Sequence, residues 1–140
     1  MLRAIVDRVI RHKIALHKTP LDRYQVRIAR SVKEYEDALR LVHAAYAYQG
    51  IESVRASELR VTTQDFLPEA TVLVAYEGEA LVGTMTVVLD SPAKLPLDKD
   101  YANELDALRK HGAKIAEYSA FAVVERCWHS GVSNLLYLAA

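Results

Sequence analysis

Glu117 and Ser119 stand two residues apart inside an otherwise apolar run, from Lys114 to Val124. The run alternates as a strand. Ile115, Glu117, Ser119, Phe121 and Val123 fall on one face, and Ala116, Tyr118, Ala120, Ala122 and Val124 on the other. Both faces are mostly apolar, so a central strand covered on both sides is expected. The polar turn Glu125 to Gly131 follows, and Ser133 or Asn134 can cap a helix carrying Leu135, Leu136 and Leu138. Strand, glycine-bearing turn and helix N-terminus together suit a phosphate or a chain of amides, an arrangement that many α/β proteins share.

Other residues with chemical potential are dispersed. The stretch His43 to Gly50 gathers Tyr46 and Tyr48 near a turn, where they either line a pocket or pack against each other. Arg55, Arg60 and Asp65 are charged candidates for substrate contact in an irregular segment, with simple solvation as the alternative. His12, His17, His43, His111 and His129 are scattered, with no carboxylate pair at ligand spacing, so no metal site is expected.

The elements that must position these residues can be read in order. Residues 1–23 form a basic segment, in which Leu2, Ile5, Val6, Val9, Ile10 and Ile14 recur at helical spacing over residues 2–18. Such a helix covers the domain's own core, docks a partner, or lies on a membrane surface. Tyr24 to Ala29 alternates as a first strand. Ser31 and Glu34 make a capping-box pattern for a helix with Val32, Tyr35, Ala38, Leu39, Val42, Ala45 and Tyr46 on its apolar stripe, ending near Gly50. Thr71 to Tyr76 and Ala80 to Leu89, joined at Gly78, read as a β-hairpin. Asp98 to Lys110 reads as a helix with Tyr101, Leu105 and Leu108 inward, stopped by His111-Gly112.

Composition sets the outer limits. The 140 residues make one domain with a single core, and the one cysteine, Cys127, cannot form an internal disulfide, which points to a reducing, cytoplasmic setting. No apolar run reaches the roughly 18 residues of a membrane span. Net charge is zero, yet residues 1–30 carry eight Lys or Arg against two Asp, so the remainder is acidic. That asymmetry suggests an acidic partner or the inner membrane face as a peripheral contact, or else an ordinary solvated helix face. The basic segment is short and lacks interleaved aromatics, which disfavours nucleic acid.

Four motifs stand in sequence: Asp90-Ser91-Pro92; Leu95-Pro96-Leu97-Asp98; Glu104-Leu105-Asp106-Ala107-Leu108-Arg109; and Ala116-Glu117-Tyr118-Ser119-Ala120-Phe121-Ala122-Val123. With the hairpin before them, they resemble the N-acyl amino acid synthase branch of the GNAT acyltransferase superfamily, which is related to the acyl-homoserine-lactone synthases. The resemblance runs over roughly residues 24–136. It implies the N-terminal part of a GNAT-type fold over residues 24–140. That fold is α/β in the broad sense (α+β), a mixed, mostly antiparallel sheet flanked by helices.

It further implies transfer of a long acyl chain to the amine of an amino acid. The donor is the phosphopantetheine thioester of an acyl carrier protein or acyl-coenzyme A, with no permanently bound cofactor. Glu117 would accept the amine proton, its pKa raised by burial among Ile115, Tyr118 and Phe121, unless it pairs with Arg109 or Lys114. Ser119 would orient substrate or protonate the leaving thiolate, unless it bonds to backbone. Phe121, Ala122, Val123 and Val124 would meet the acyl-pantetheine, Arg126 and Gly131 its phosphate. Tyr46, Tyr48, Arg55, Thr84 and Thr86 are the expected substrate pocket.

Two departures from the family pattern bear on activity. His129 stands where the phosphate turn's first glycine belongs. A full fold of this type also continues through a fifth strand, a helix and a final strand pair beyond Ala140, so a truncated chain is expected, with an unpaired edge from Ile115 to Val124 that invites self-association. The competing readings are a non-catalytic protein-interaction module and a coenzyme-A-dependent N-acetyltransferase.

Overall fold

The computed structural model describes residues 22–140. The basic amphipathic stretch at residues 2–18, with the membrane or partner contact expected of it, lies outside the described residues. The elements are β1 (Gln25–Ile28), α1 (Val32–Tyr48), a 3-10 turn (Thr63–Phe66), β2 (Ala70–Glu77), β3 (Ala80–Leu89), α2 (Asp98–Lys110), β4 (Ala116–Val123), a 3-10 turn (Glu125–Cys127) and α3 (Val132–Ala139). The strands form one α+β sheet in the order β1-β2-β3-β4, every pairing antiparallel.

Local chemistry explains most boundaries. Ser31 Oγ accepts the Glu34 N–H at 3.2 Å and starts α1, but only half of the capping box forms. The Glu34 carboxylate instead accepts the Arg30 N–H at 2.6 Å and grips Arg27 across 2.5 and 2.9 Å. Gly78 turns the β2–β3 hairpin at φ +60°. α3 is not capped by Ser133 or Asn134: Gly131, at φ +94°, is its N-cap.

The two faces of the sheet bury different clusters. α3 seals one face with Val132 and Leu136 against Leu73, Ala75, Val82 and Met85. All six are apolar and buried, and each Val, Leu or Met among them is worth about 2 kcal/mol in removal from water. α1 covers the other face, placing Val42 over Ala120 and Ala122. α2 lies at the sheet's end with only Leu105 buried, while Tyr101 and Leu108 are about half exposed rather than inward.

What holds α2 is charge. Arg109 bonds both carboxylate oxygens of Asp90 at 2.7 Å and both of Asp98 at 2.6 Å, and reaches Asp106 at 2.7 Å. Lys94 also bonds Asp106 at 2.7 Å. Three of the four sequence motifs thus meet at one guanidinium.

Among the described residues β4 is an edge strand, in line with the unpaired edge expected from Ile115 to Val124, and not the central strand that its two apolar faces suggested. Its alternation also breaks: Thr86 pairs with Ser119 and Thr84 with Ala122, so Ala120 and Phe121 together oppose Met85. Ala120 sits at φ +47°, the left-handed start of a β-bulge. Tyr118 contacts Tyr137 of α3 at 5.5 Å and Phe121 contacts the same ring at 5.7 Å. Glu117 and Ser119 therefore share the α1 face with Ala120 and Ala122, and Phe121 and Val123 lie opposite. Among the described residues, no helix is long and apolar enough to cross a membrane.

Candidate active site

Beyond the bulge, the end of β4 and the tail of α1 diverge around a groove of about 640 Å³. Leu41, Ala44, Ala45, Tyr46 and Tyr48 form the helical wall, Ile51 closes one end, and Phe121 to Glu125 form the strand wall with Trp128 and Ser133 beyond. The lining is largely apolar, as a ligand's hydrocarbon portion requires. The Val124 N–H donates to the Val82 carbonyl at 2.9 Å, so the neighbouring Val123 turns its main-chain groups outward by strand alternation. Its carbonyl accepts the Trp128 indole N–H at 3.0 Å.

The structure gathers some of the sequence-selected residues and disperses others. Tyr46, Tyr48, Phe121, Ala122, Val123 and Val124 all line the groove. Glu117 and Ser119 do not; they lie farther back along β4, on the α1 face. Glu117 accepts the Leu97 N–H at 2.8 Å, at the first turn of α2. Burial lifts its carboxyl above the ordinary value, the Leu97 N–H pulls it back, and the charge of Asp98 pushes it up. The expected direction holds, but Tyr118 and Phe121 are on the opposite face. Neither Arg109 nor Lys114 is its partner.

Thr84 and Thr86 are buried and do not line the groove. Thr84 Oγ1 donates to the Leu73 carbonyl at 2.8 Å, which satisfies it inside the sheet. Arg55 pairs with Glu52 at 3.2 Å and is absent from the groove, while its N–H donates to Nε2 of the buried His43 at 3.3 Å. Arg60 also pairs with Glu52, at 2.7 Å, and its guanidinium lies 5.0 Å from the centre of the Tyr46 ring, supporting that wall from behind. Asp65 accepts from Thr62 and stabilises its own turn.

Arg126 is turned to Glu77, which also holds Arg23 at 2.5 Å. Hydrogen bonds from Arg126 and then Arg23 depress the Glu77 carboxyl, against the opposing effect of burial. The guanidinium expected at a phosphate is thus engaged away from the groove. His129 nevertheless adopts φ +63°, so the turn keeps a left-handed residue at the site of the missing glycine, followed by Gly131.

Sequence reasoning missed Trp128, Ser133, Ala44 and Ala45 as groove residues. Trp128 had a visible signal, being a lone tryptophan in a polar turn directly after an apolar strand. Paired alanines at the end of α1 left room for a cavity but carried no chemical signature.

This geometry agrees with what the chain is similar to. Among curated proteins, none matches. A solved structure described as FeeM, an N-acyl amino acid synthase from uncultured soil microbes, superimposes with a TM-score of 0.70 at 30% identity. The match covers 83% of this chain and 63% of that one, so the present chain spans under two thirds of its relative's length. The family described as N-acyl amino acid synthase FeeM matches residues 37–140, which contain most of α1, the hairpin, the Arg109 cluster and the whole of β4. On the sequence match, the fold and the placement of those motifs, the chain belongs to the N-acyl amino acid synthase FeeM family.

Proposed function

We propose that the protein transfers an acyl chain from a thioester to the amine of an amino acid. The observation that carries the reading is the apolar groove where β4 splays from α1, just past a bulge in the strand. An acyl chain lies along Leu41, Ala45 and Tyr48, burying about 0.8 kcal/mol per methylene. The thioester carbonyl sits at the bulge, where left-handed Ala120 frees main chain from the ladder to polarise it.

The amine nitrogen attacks the thioester carbon, the carbon–sulfur bond breaks, and the thiolate leaves. Glu117 takes the amine proton. Three residue steps along the strand separate it from Ala120, about 10 Å, so the proton crosses through water. Its raised pKa suits it to that task. Ser119 lies between the two on the same face and orients the acceptor or returns a proton to the thiolate.

A donor thioester on an acyl carrier protein fits better than coenzyme A. Among the described residues, Arg126, the guanidinium expected at the phosphate, is turned to Glu77 and away from the groove. The test is to incubate the purified chain with long-chain acyl carrier protein and mixed amino acids, and to seek N-acyl products by mass spectrometry. Product that vanishes in Glu117→Gln supports the reading. A folded sample that yields none refutes it, and a Glu117→Gln protein that keeps full activity removes the base.

A further inference from the structure

Arg109 touches no groove residue, yet it gathers the carboxylates of Asp90, Asp98 and Asp106, which come from the strand exit, the start of α2 and its last turns. Its own side chain is 20% exposed, and those of Asp90 and Asp98 are 16% and 11% exposed. Such an assembly is far more ordered than a surface ion pair. Asp98 adjoins Leu97, whose N–H is the hydrogen-bond donor to Glu117. Asp98 also accepts the Leu95 N–H at 2.8 Å, closing the loop that carries Leu97. The path from Arg109 to the Glu117 carboxylate therefore contains one ion pair, one peptide unit and one hydrogen bond.

We propose that Arg109 is a positioning residue for Glu117: by clamping Asp98 it fixes the first turn of α2 and holds the Leu97 N–H against the carboxylate. The clamp has a second effect through charge. Among the described residues, Asp98 is the charged group whose field acts on Glu117, with Val88 opposite on β3 and Ser119 beside it on β4. Arg109 neutralises Asp98 at 2.6 Å, limiting how far that field raises the Glu117 carboxyl. Removing the guanidinium frees the amide and exposes the like charge. Both changes favour a protonated Glu117.

The inference extends the acyl-transfer reading, but its main test is independent of activity. In uniformly ¹³C-labelled protein, the side-chain carboxyl of Glu117, assigned with Glu117→Gln, is titrated by NMR in native protein and in Arg109→Gln. The midpoint is expected to rise by about one pH unit, a tenfold change in proton affinity. Protection of the Leu97 amide from hydrogen exchange is expected to fall with it. Arg109→Lys, which supplies charge without the fork, recovers part of the shift.

If Arg109→Gln does not fold, Asp98→Asn reads the same coupling with opposite sign. It keeps an acceptor for Arg109 but removes the charge, so Glu117 titrates lower. An unmoved midpoint in a folded variant overturns the proposal. In the acyl-transfer assay, Arg109→Gln lowers kcat and moves the acid limb of the pH profile upward, leaving KM for the acyl donor unchanged. If the native chain transfers nothing while the midpoint still moves, the functional reading fails and the positioning stands. The reverse result separates them the other way.

Discussion

Gly83→Ala tests how closely α3 is seated on the sheet. Gly83 lies in β3 opposite Val123, and a methyl group built on it meets Val132 Cγ1 at 2.9 Å, Leu136 Cδ1 at 3.2 Å and Val123 Cγ2 at 3.3 Å. Carbon atoms pack best at about 3.5–4.0 Å, so α3 must retreat by roughly 0.6 Å or more. Val132 gives little by rotating, because a β-branched side chain has few alternatives and this one is fully buried. Overpacking of this kind costs about 1–3 kcal/mol. Against it stands about 0.4–1 kcal/mol gained because alanine restricts the unfolded chain.

The expected net loss is about 1–2 kcal/mol, a fall in Tm of roughly 3–8 °C for a domain of this size. Thermal unfolding followed by circular dichroism measures it. A double-mutant cycle identifies the cause. Val132→Ala removes the methyl group nearest the new one, so the two substitutions together should cost less than their sum by about 1 kcal/mol. A rise in Tm for Gly83→Ala alone, or strict additivity in the cycle, would refute the close approach of α3 to β3.

Other outcomes follow from the same geometry. Ala120→Gly relieves a left-handed alanine but loses a buried methyl group and loosens the unfolded chain, so its net effect is expected to stay within about 1 kcal/mol of zero, whereas Ala120→Val destabilises, as chemical denaturation will show. Ser31→Ala removes the acceptor of the Glu34 N–H and should cost about 1 kcal/mol in the same assay. Ala44→Trp fills the groove from an exposed position and should raise KM for a long-chain donor roughly tenfold, the equivalent of losing fewer than two buried methylenes, with Tm unchanged. In acid, Glu34 and Asp98 matter most. Arg27 holds the first at a pKa of about 2, and Arg109 the second at about 2, both below their ordinary values. Depressed carboxyls contribute stability above their unfolded pKa values and lose it as pH falls through the folded ones. Tm is therefore expected to decline between about pH 4 and pH 2, and less steeply in Glu34→Gln.

How legible this was in sequence differed by element. The hairpin was plain because two alternating runs flank a two-residue turn with glycine, and α2 matched its predicted span, Asp98 to Lys110. The inward side of α2 was misread, because its hold on the domain is ionic and only Leu105 is buried. The break in β4 was hidden for a different reason. With apolar residues on both faces, a bulge at Ala120 changes nothing in the pattern, although it moves Phe121 and Val123 across the sheet from Glu117. The hydroxyl of Thr84 looked available, but its satisfaction by Leu73 depends on a cross-strand register that no local pattern reveals. Arg109 was visible as part of a motif and as a possible partner of Glu117; its three actual partners are 3 to 19 positions away and meet only in the fold.

The contact between Trp128 and the Val123 carbonyl has an optical consequence. Trp128 is the chain's single tryptophan, about half exposed, with its indole N–H fixed on one rim of the groove. All tryptophan fluorescence from the protein therefore originates at that rim. A hydrocarbon chain entering the groove displaces water from the indole and shifts the emission to shorter wavelength. Occupancy of the groove can be followed in unlabelled protein, during turnover, with nothing attached.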